Sequence, residues 1–198
     1  MFGDSPTIDY AKPCTKRPFS SAGKYFTYFT SWSAVQVVSE TALKSIPNDV
    51  LGFMPQGPHY DPKYGALVKV VTDPKVYLLL GGNKQWITSE TVFTALNYAW
   101  NWIEDVSQTL LDKYTSQGEI TDTTKHPNYT LITYEDSPKV YRLEPDPTDE
   151  TNRVKRHIKD EATFTSLNFR WDRIVTVPGS EVYEDGKELS VNVGAFGE

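Results

Sequence analysis

The chain repeats one pattern of residues three times, and this repetition constrains its fold more than any other feature. The first two copies keep a gap-free spacing of about 68 residues, seen from Pro6 to Pro74 and from Trp32 to Trp100. The second and third copies share a longer string: Pro74, Lys75, Val76, Tyr77, Phe93, Leu96, Asn97 and Trp100 correspond to Pro138, Lys139, Val140, Tyr141, Phe164, Leu167, Asn168 and Trp171. Self-similarity at a fixed period is typical of repeat architectures, in which no copy buries its apolar face alone.

Each copy has the pattern of a small β-meander followed by a short helix. In the second copy, β-branched and aromatic runs at 67–71 and 76–80 flank the turn residues Asp73 and Pro74. The sequence therefore predicts an α+β fold of three tandem units. We place repeat 1, which lacks its leading strand, at 1–60, repeat 2 at 61–124, repeat 3 at 125–183, and a closing strand at 184–198.

The predicted helices all begin at the same kind of residue. Ser21, Ser89 and Asp160 occupy equivalent positions, and their side-chain oxygens can accept a free N–H of the first helical turn. Asn97 and Asn168 stand where a left-handed residue would end the helix. We expect the equivalent tryptophans that follow to be core anchors, because large aromatic side chains supply much of the buried area in small units.

The C-terminal end carries a strand that the N-terminal end lacks. Leu189, Val191 and Val193 alternate with polar residues and match the leading strand of a repeat, which the first copy is missing. This strand could pair with the first repeat and close the fold, which would remove two exposed sheet edges. Alternatively, it could complete the first repeat of a neighbouring molecule and generate a filament. Tethering favours the closed arrangement.

Composition excludes several classes of function. The formal net charge of −6 argues against nucleic-acid binding, which needs a basic face. No apolar run approaches the ~18 residues of a membrane span, so we expect no membrane insertion. The single cysteine, Cys14, cannot form an internal disulfide and is expected to be structural.

The sequence carries no strong catalytic motif, and we expect a protein that is not an enzyme. Phosphate loops, zinc-binding HExxH, paired CxxC and strand-flanked GxSxG patterns are all absent from it. Ser21 and Lys24 match the SxxK pattern of a lysine-activated serine, but the match is weak, because Ser21 is equivalent to Ser89 and Asp160 and helix capping accounts for it completely. Scattered histidines and irregular acidic runs predict no metal and no cofactor.

Two tryptophans lie outside the repeated pattern. Trp86 and Trp102 occur only in the second copy, where the other copies have smaller or polar residues. A tryptophan that the repeat core does not require is a candidate platform for the apolar face of a sugar. Extra local packing is the alternative explanation for both residues.

The repeat resembles short repeats of predicted exported or cell-wall-associated bacterial proteins. The resemblance rests on the Leu-Val-Lys string, a proline followed by Val-Tyr, the capped helix, and the tryptophan followed by Val-x-x-Val-Ser, as carried by 67–107 and 16–39 and less cleanly by 131–177. These repeats have no established activity. The resemblance implies an extracellular or cell-surface location and a non-catalytic role.

Three functional hypotheses follow for this chain. The first is a structural or attachment module of a bacterial surface whose partner is a cell-envelope polymer or another protein copy. The second is a carbohydrate-binding module for cell-wall glycan that uses Trp86 and Trp102. The third is a filament subunit that exchanges the C-terminal strand.

Overall fold

The computed structural model describes residues 9–11, 15–62, 65–80 and 82–190. Within them the fold is mixed α+β, with two five-stranded sheets, one two-stranded sheet and a few short helices. The strands are β1 (Asp9–Ala11), β2 (Lys16–Pro18), β3 (Ala66–Val70), β4 (Val76–Leu80), β5 (Asn83–Ile87), β6 (Glu104–Val106), β7 (Thr115–Ile120), β8 (Leu131–Tyr134), β9 (Val140–Asp146), β10 (Asp149–His157), β11 (Ile174–Val177) and β12 (Glu184–Asp185). The helices are α1 (Ala22–Phe26), α2 (Glu40–Lys44), α3 (Glu90–Ala95), α4 (Gln108–Leu111) and α5 (Glu161–Ser166), with 3₁₀ turns at Trp32–Ala34, Trp100–Trp102 and Trp171–Arg173.

The chain divides into two compact units whose segments alternate along the sequence. Unit 1 contains the described residues up to 61 together with Val68–Pro74 and Glu104–Tyr114. Unit 2 contains the described residues of Pro62–Leu67, Lys75–Ile103 and those from 115 onward.

Unit 1 is built from short pairings around an aromatic cluster. Strand β1 pairs antiparallel with β2, and the last three residues of β3 pair parallel with β6. Phe19, Tyr25 and Met54 are buried at its centre, with the Phe19 and Tyr25 rings 5.4 Å apart edge to face. The Arg17 guanidinium donates to the backbone carbonyls of residues 51–53 and orders that loop.

Unit 2 holds most of the sheet structure. Strand β4 pairs antiparallel with β5, and β5 pairs parallel with β7. The other sheet has the order β11-β8-β9-β10-β12, with parallel pairing of β11 to β8 and of β12 to β10. One cluster of buried apolar side chains joins residues of both groups of strands with those of α3, among them Ile87, Phe93, Ile132, Leu143 and Val175.

The expected helix starts and stops are confirmed. The Ser21, Ser89 and Asp160 side chains each accept the backbone N–H three residues ahead, at 3.2, 3.2 and 2.7 Å. Asn97 and Asn168 follow α3 and α5 with φ of 51° and 54°, the left-handed conformation that ends a helix. These features form locally, which explains why residue type alone predicts them.

The described part of the C-terminal segment pairs with β10 in unit 2. Leu189 is buried, its N–H donates to the His157 carbonyl at 2.8 Å, and it bridges to Ile158 in parallel orientation. Its side chain packs in a cluster with Leu131, Phe164 and Phe169. Val191, Val193 and Cys14 lie outside the described residues, and closure onto the first copy stays a prediction.

Candidate functional site

The tryptophans shared by the three copies lie at the surface, so the prediction that they are core anchors was wrong. Trp32, Trp100 and Trp171 are 47%, 55% and 54% exposed. In each copy a helix instead supplies a fully buried aromatic, Tyr25, Phe93 or Phe164. These smaller rings fill the core beneath each helix, and each indole packs against the outer side of the ring.

Each exposed indole stacks on the helix aromatic seven residues before it. Trp32 lies on Tyr25 with ring centroids 4.6 Å apart and planes 13° from parallel. Trp100 on Phe93 and Trp171 on Phe164 have centroid distances of 4.2 and 3.9 Å and interplanar angles of 24° and 20°. Since one face of each indole is covered by a buried ring and about half of each tryptophan is exposed, the opposite face is open to solvent. We call Trp32, Trp100 and Trp171 the outward tryptophans.

The local backbone fixes the orientation of these rings. Every outward tryptophan opens a 3₁₀ turn directly after the short loop that ends the preceding helix. In the second copy, the left-handed Asn97 sets the direction of this loop and donates from Nδ2 to the Thr176 carbonyl at 3.4 Å. The stacked aromatic ring and the 3₁₀ turn together fix the orientation of the indole in the absence of ligand. This preorganisation reduces the entropy lost on binding.

The surroundings of the outward tryptophans differ from copy to copy. Phe26, which is 40% exposed, packs edge to face on Trp32 and widens the apolar surface of the first copy. In the third copy, Asp172 forms ion pairs with Arg170 at 2.9 Å and with Arg173 at 2.7 Å. Hydrogen bonding from Arg170 holds the pKa of the Asp172 carboxyl below its usual value. The same stacking geometry therefore stands beside apolar groups in one copy and charged groups in another.

The tryptophans selected from the sequence, Trp86 and Trp102, are half-buried. The Lys75 ammonium lies 4.9 Å from the centroid of the Trp86 ring. Trp102 packs against Tyr98 in the core of unit 2, and the Arg173 guanidinium lies 5.4 Å from its ring centroid. Cations thus sit over both rings, whereas the outward tryptophans stack on neutral rings.

A polar cleft of about 420 Å³ also lies in unit 2, between the β4-β5-β7 strands, the loop 121–129 and the first part of β10. Its volume falls within the roughly 300–1,000 Å³ range of small-molecule sites. Leucine, amide and guanidinium groups share its lining, which includes Leu80, Asn83, Gln85, Gln117, Asn128 and Arg153. No sequence motif indicated this cleft, because its walls are brought together by long-range strand pairing.

A β-bulge shapes one wall of the cleft. The parallel register of β5 and β7 shifts between Lys84 and Trp86, opposite a longer stretch from Ser116 to Glu119. Gly118 lies in this stretch with φ of 73°, a conformation that strongly favours glycine. The Gln85 side chain donates from Nε2 to the Gln117 carbonyl at 3.1 Å and so spans the bulge.

A buried polar cluster anchors the loop that forms the facing wall. His126 is buried, and its ring lies 2.7 Å from the Glu181 carboxylate through Nδ1 and 2.8 Å from the Leu96 carbonyl through Nε2. The His126 backbone N–H donates to Glu181 at 3.0 Å and to the Tyr183 hydroxyl at 2.8 Å. This cluster holds the loop on either side of His126, including Lys125 and Asn128, in one position.

The structure shows no metal centre among its described residues, where His, Cys, Asp and Glu side chains form no group of three suited to holding an ion. Asp146 in the β9–β10 turn instead accepts from the Thr148 hydroxyl at 2.7 Å and the Thr148 N–H at 2.8 Å. In the described part of the chain, every helix is too short or too polar to cross a membrane.

No protein-family model matches this chain, and no curated protein matches it either. Among solved structures, it is similar to a chain of the periplasmic assembly from the ESX-5 inner membrane complex, with 11% identity over 98% of this chain and 60% of that one and a TM-score of 0.24. A chain of an intact ESX-5 inner membrane complex gives 11% identity, coverage of 99% and 52%, and a TM-score of 0.23. This chain thus spans less than two thirds of either matched chain. Neither likeness assigns a function, so the function has to be inferred from the side chains of this protein.

Proposed function

We propose that this protein is a non-catalytic attachment module that binds a cell-wall glycan through the outward tryptophans. The observation that carries the proposal is the repeated stack, in which a buried helix aromatic supports an indole whose other face is open. The glycan hypothesis made from the sequence is kept, but the outward tryptophans replace Trp86 and Trp102 as the main platforms.

The physical basis is the match between an exposed indole and the C–H face of a pyranose ring. An exposed aromatic surface loses water on contact with an apolar partner, and the flat indole matches a flat sugar face. An isolated exposed tryptophan needs no explanation, but a geometry that recurs at three equivalent positions does. A ligand that itself repeats, such as a polysaccharide, can engage more than one such face.

The three-repeat organisation belongs to the same proposal. Its support is local: each copy has a capped helix, a buried helix aromatic and a stacked tryptophan in the same order. Several weak sites on one chain raise the overall affinity for a polymer through effective concentration. The location at a bacterial surface is proposed from the resemblance of the repeats to exported proteins.

A non-catalytic role is supported by the position of the one serine that matched a nucleophile pattern. The Ser21 Oγ is exposed and accepts the Lys24 backbone N–H, which is the capping role. Filament formation through the C-terminal strand would require Leu189 to leave the cluster in which it is buried. We therefore favour attachment through a glycan over assembly through strand exchange.

Binding to insoluble cell-wall polysaccharide and to a glycan array tests the proposal. We expect Trp32→Ala, Trp100→Ala and Trp171→Ala each to weaken binding roughly tenfold, equivalent to about 1.4 kcal/mol, and the triple variant to lose it. Val37→Ala, which removes an exposed apolar side chain elsewhere, is the matched control and should bind normally. Undiminished binding by the folded triple variant, or failure of the wild-type protein to bind any glycan, would contradict the proposal.

A further inference from the structure

We propose that the polar cleft of unit 2 is a second, separate binding site that takes one or two neutral sugar residues through their hydroxyl groups. The inference rests on the proposed function in one respect, because the sugar is taken to belong to the same glycan that the outward tryptophans bind. The residues of the cleft carry the proposal by themselves, and its test does not depend on the tryptophans.

Two polar atoms of the lining residues lack a protein partner. Asn128 Oδ1 and Arg153 Nε are shielded from solvent and have no hydrogen-bond partner. Because both atoms are shielded, a hydroxyl group in the cleft reaches them only when the Asn128 and Arg153 side chains turn toward it. A buried donor or acceptor left unsatisfied is costly, so binding that satisfies it favours that turn. One is an acceptor and the other is a donor, and a hydroxyl group is able to serve both.

The amide and leucine groups extend the same chemistry. Gln85 opposes Leu78 across the β4–β5 pair, and Asn83 opposes Leu80, so each amide stands beside a leucine on the same face of the sheet. An apolar patch beside planar amides matches a sugar, which has C–H faces and hydroxyl edges. Tyr129 adds an aromatic ring to the lining.

The charge of the lining favours a neutral ligand over a phosphate or an acidic sugar. Lys125 and Arg153 are balanced by Glu119 and Asp122 among the lining residues. The Asp122 carboxylate also accepts two backbone N–H groups and the Thr124 hydroxyl, at 2.7–3.3 Å. Burial would raise the pKa of Asp122, but these bonds hold that pKa below its usual value. An anion would therefore meet fixed negative charge in the cleft.

The backbone around the cleft is held in uncommon conformations on both walls. Tyr129 has φ of 72°, which is rare for an aromatic residue, and its N–H donates to the Leu143 carbonyl at 2.6 Å. The buried Arg142 guanidinium lies 4.8 Å from the Tyr129 ring centroid and fixes that ring. Gly118 holds the bulge on the opposite wall. Left-handed residues and bulges concentrate at binding sites, where they direct side chains at the ligand.

The test is a titration of the full chain with neutral hexose disaccharides, both unmodified and N-acetylated. Binding is measured by isothermal titration calorimetry and by saturation-transfer NMR. We expect Gln85→Ala and Arg153→Met to weaken disaccharide binding at least tenfold. Gln117→Ala is the second variant, because its side chain is exposed and its removal leaves the carbonyl that accepts from Gln85. We expect it to weaken binding as well. Gln36→Ala, an exposed amide outside unit 2, is the matched control and should bind as the wild type does.

The two proposals fail in different ways. If the wild-type protein binds none of these disaccharides, or if the folded cleft variants bind them normally, the cleft proposal is wrong even when the triple tryptophan variant has lost the polymer. If the triple tryptophan variant keeps polymer binding while the cleft variants lose the disaccharide, the cleft proposal stands and the tryptophan proposal fails.

Discussion

At the scale of single residues, His126 and Glu181 form a buried ionisable pair in unit 2. The Leu96 carbonyl can only accept, so His126 donates to it from Nε2. The other ring nitrogen, Nδ1, lies within hydrogen-bond distance of the Glu181 carboxylate. Glu181 also accepts from the Tyr183 hydroxyl. A buried carboxylate with this many donors is stabilising only while it remains charged.

The pKa of Glu181 predicts how stability depends on acid. Burial would raise this pKa, but hydrogen bonds from His126 and Tyr183 hold it below the usual value of 4.5. A carboxyl with a lowered folded-state pKa contributes stability above its unfolded pKa and loses it as pH falls through the folded value. The free energy of unfolding should therefore decrease as the pH is lowered below about 4.5.

Glu181→Gln tests this dependence by chemical denaturation across pH. We expect the variant to lose about 1–3 kcal/mol at neutral pH, since a neutral amide replaces the charged acceptor of the bonds from His126 and Tyr183, and to show a flatter acid limb. The exposed Glu184→Gln should behave like the wild type in both respects. Equal acid limbs in Glu181→Gln and the wild type would show that another carboxyl controls the transition.

At the scale of elements, one pairing recurs after each hairpin. The second strand of the hairpin pairs parallel with a later segment: β2 bridges to Asn48 through Lys16, β5 pairs with β7, and β10 pairs with β12 and then with Leu189. The segment around Leu189 is therefore the counterpart of β7, rather than of the leading strand β3 with which the sequence equated it. This pairing explains why a terminal segment holds a fully buried side chain.

Leu189→Ala measures how much this segment contributes to unit 2. Because the side chain is fully buried among Leu131, Phe164 and Phe169, we expect a loss of about 2–5 kcal/mol in the free energy of unfolding. Val182→Ala, at an exposed site nearby in the sequence, should change it by less than about 0.5 kcal/mol. A similarly small effect for Leu189→Ala would mean that the segment leaves its strand in solution.

Some of these elements follow from the sequence and others do not, for a physical reason. Helix caps and the left-handed Asn97 depend on contacts within a few residues, so residue type and spacing predict them. The exposure of Trp100 depends on what packs across its free face, and spacing carries no information about that. The cleft is even harder to predict from the sequence, because Gln85, Gln117 and Arg153 come together only through pairing of strands that are distant in the sequence. The signal for the outward tryptophans was the constant seven-residue separation from a buried helix aromatic.

At the scale of the whole molecule, the two compact units do not coincide with stretches of sequence. Unit 1 takes Val68–Pro74 and Glu104–Tyr114 from the second copy, so the chain passes repeatedly from one unit to the other. The cooperative unit of folding should therefore be larger than one copy of the repeat.

A fragment of residues 1–61 tests this interleaving. Within unit 1, Gln56 donates to the Asp105 carbonyl at 2.8 Å, and Ser107 donates to the Gln56 carbonyl at 2.8 Å, so the fragment lacks partners that its own backbone needs. We expect it to show an unfolded ¹H–¹⁵N spectrum and no near-ultraviolet circular dichroism. The matched control is fragment 1–114, which contains every segment of unit 1 and should give dispersed resonances for unit 1 residues. A folded 1–61 fragment would show instead that the first copy is an autonomous domain, since its aromatic cluster alone would then outweigh the lost pairings with 104–107.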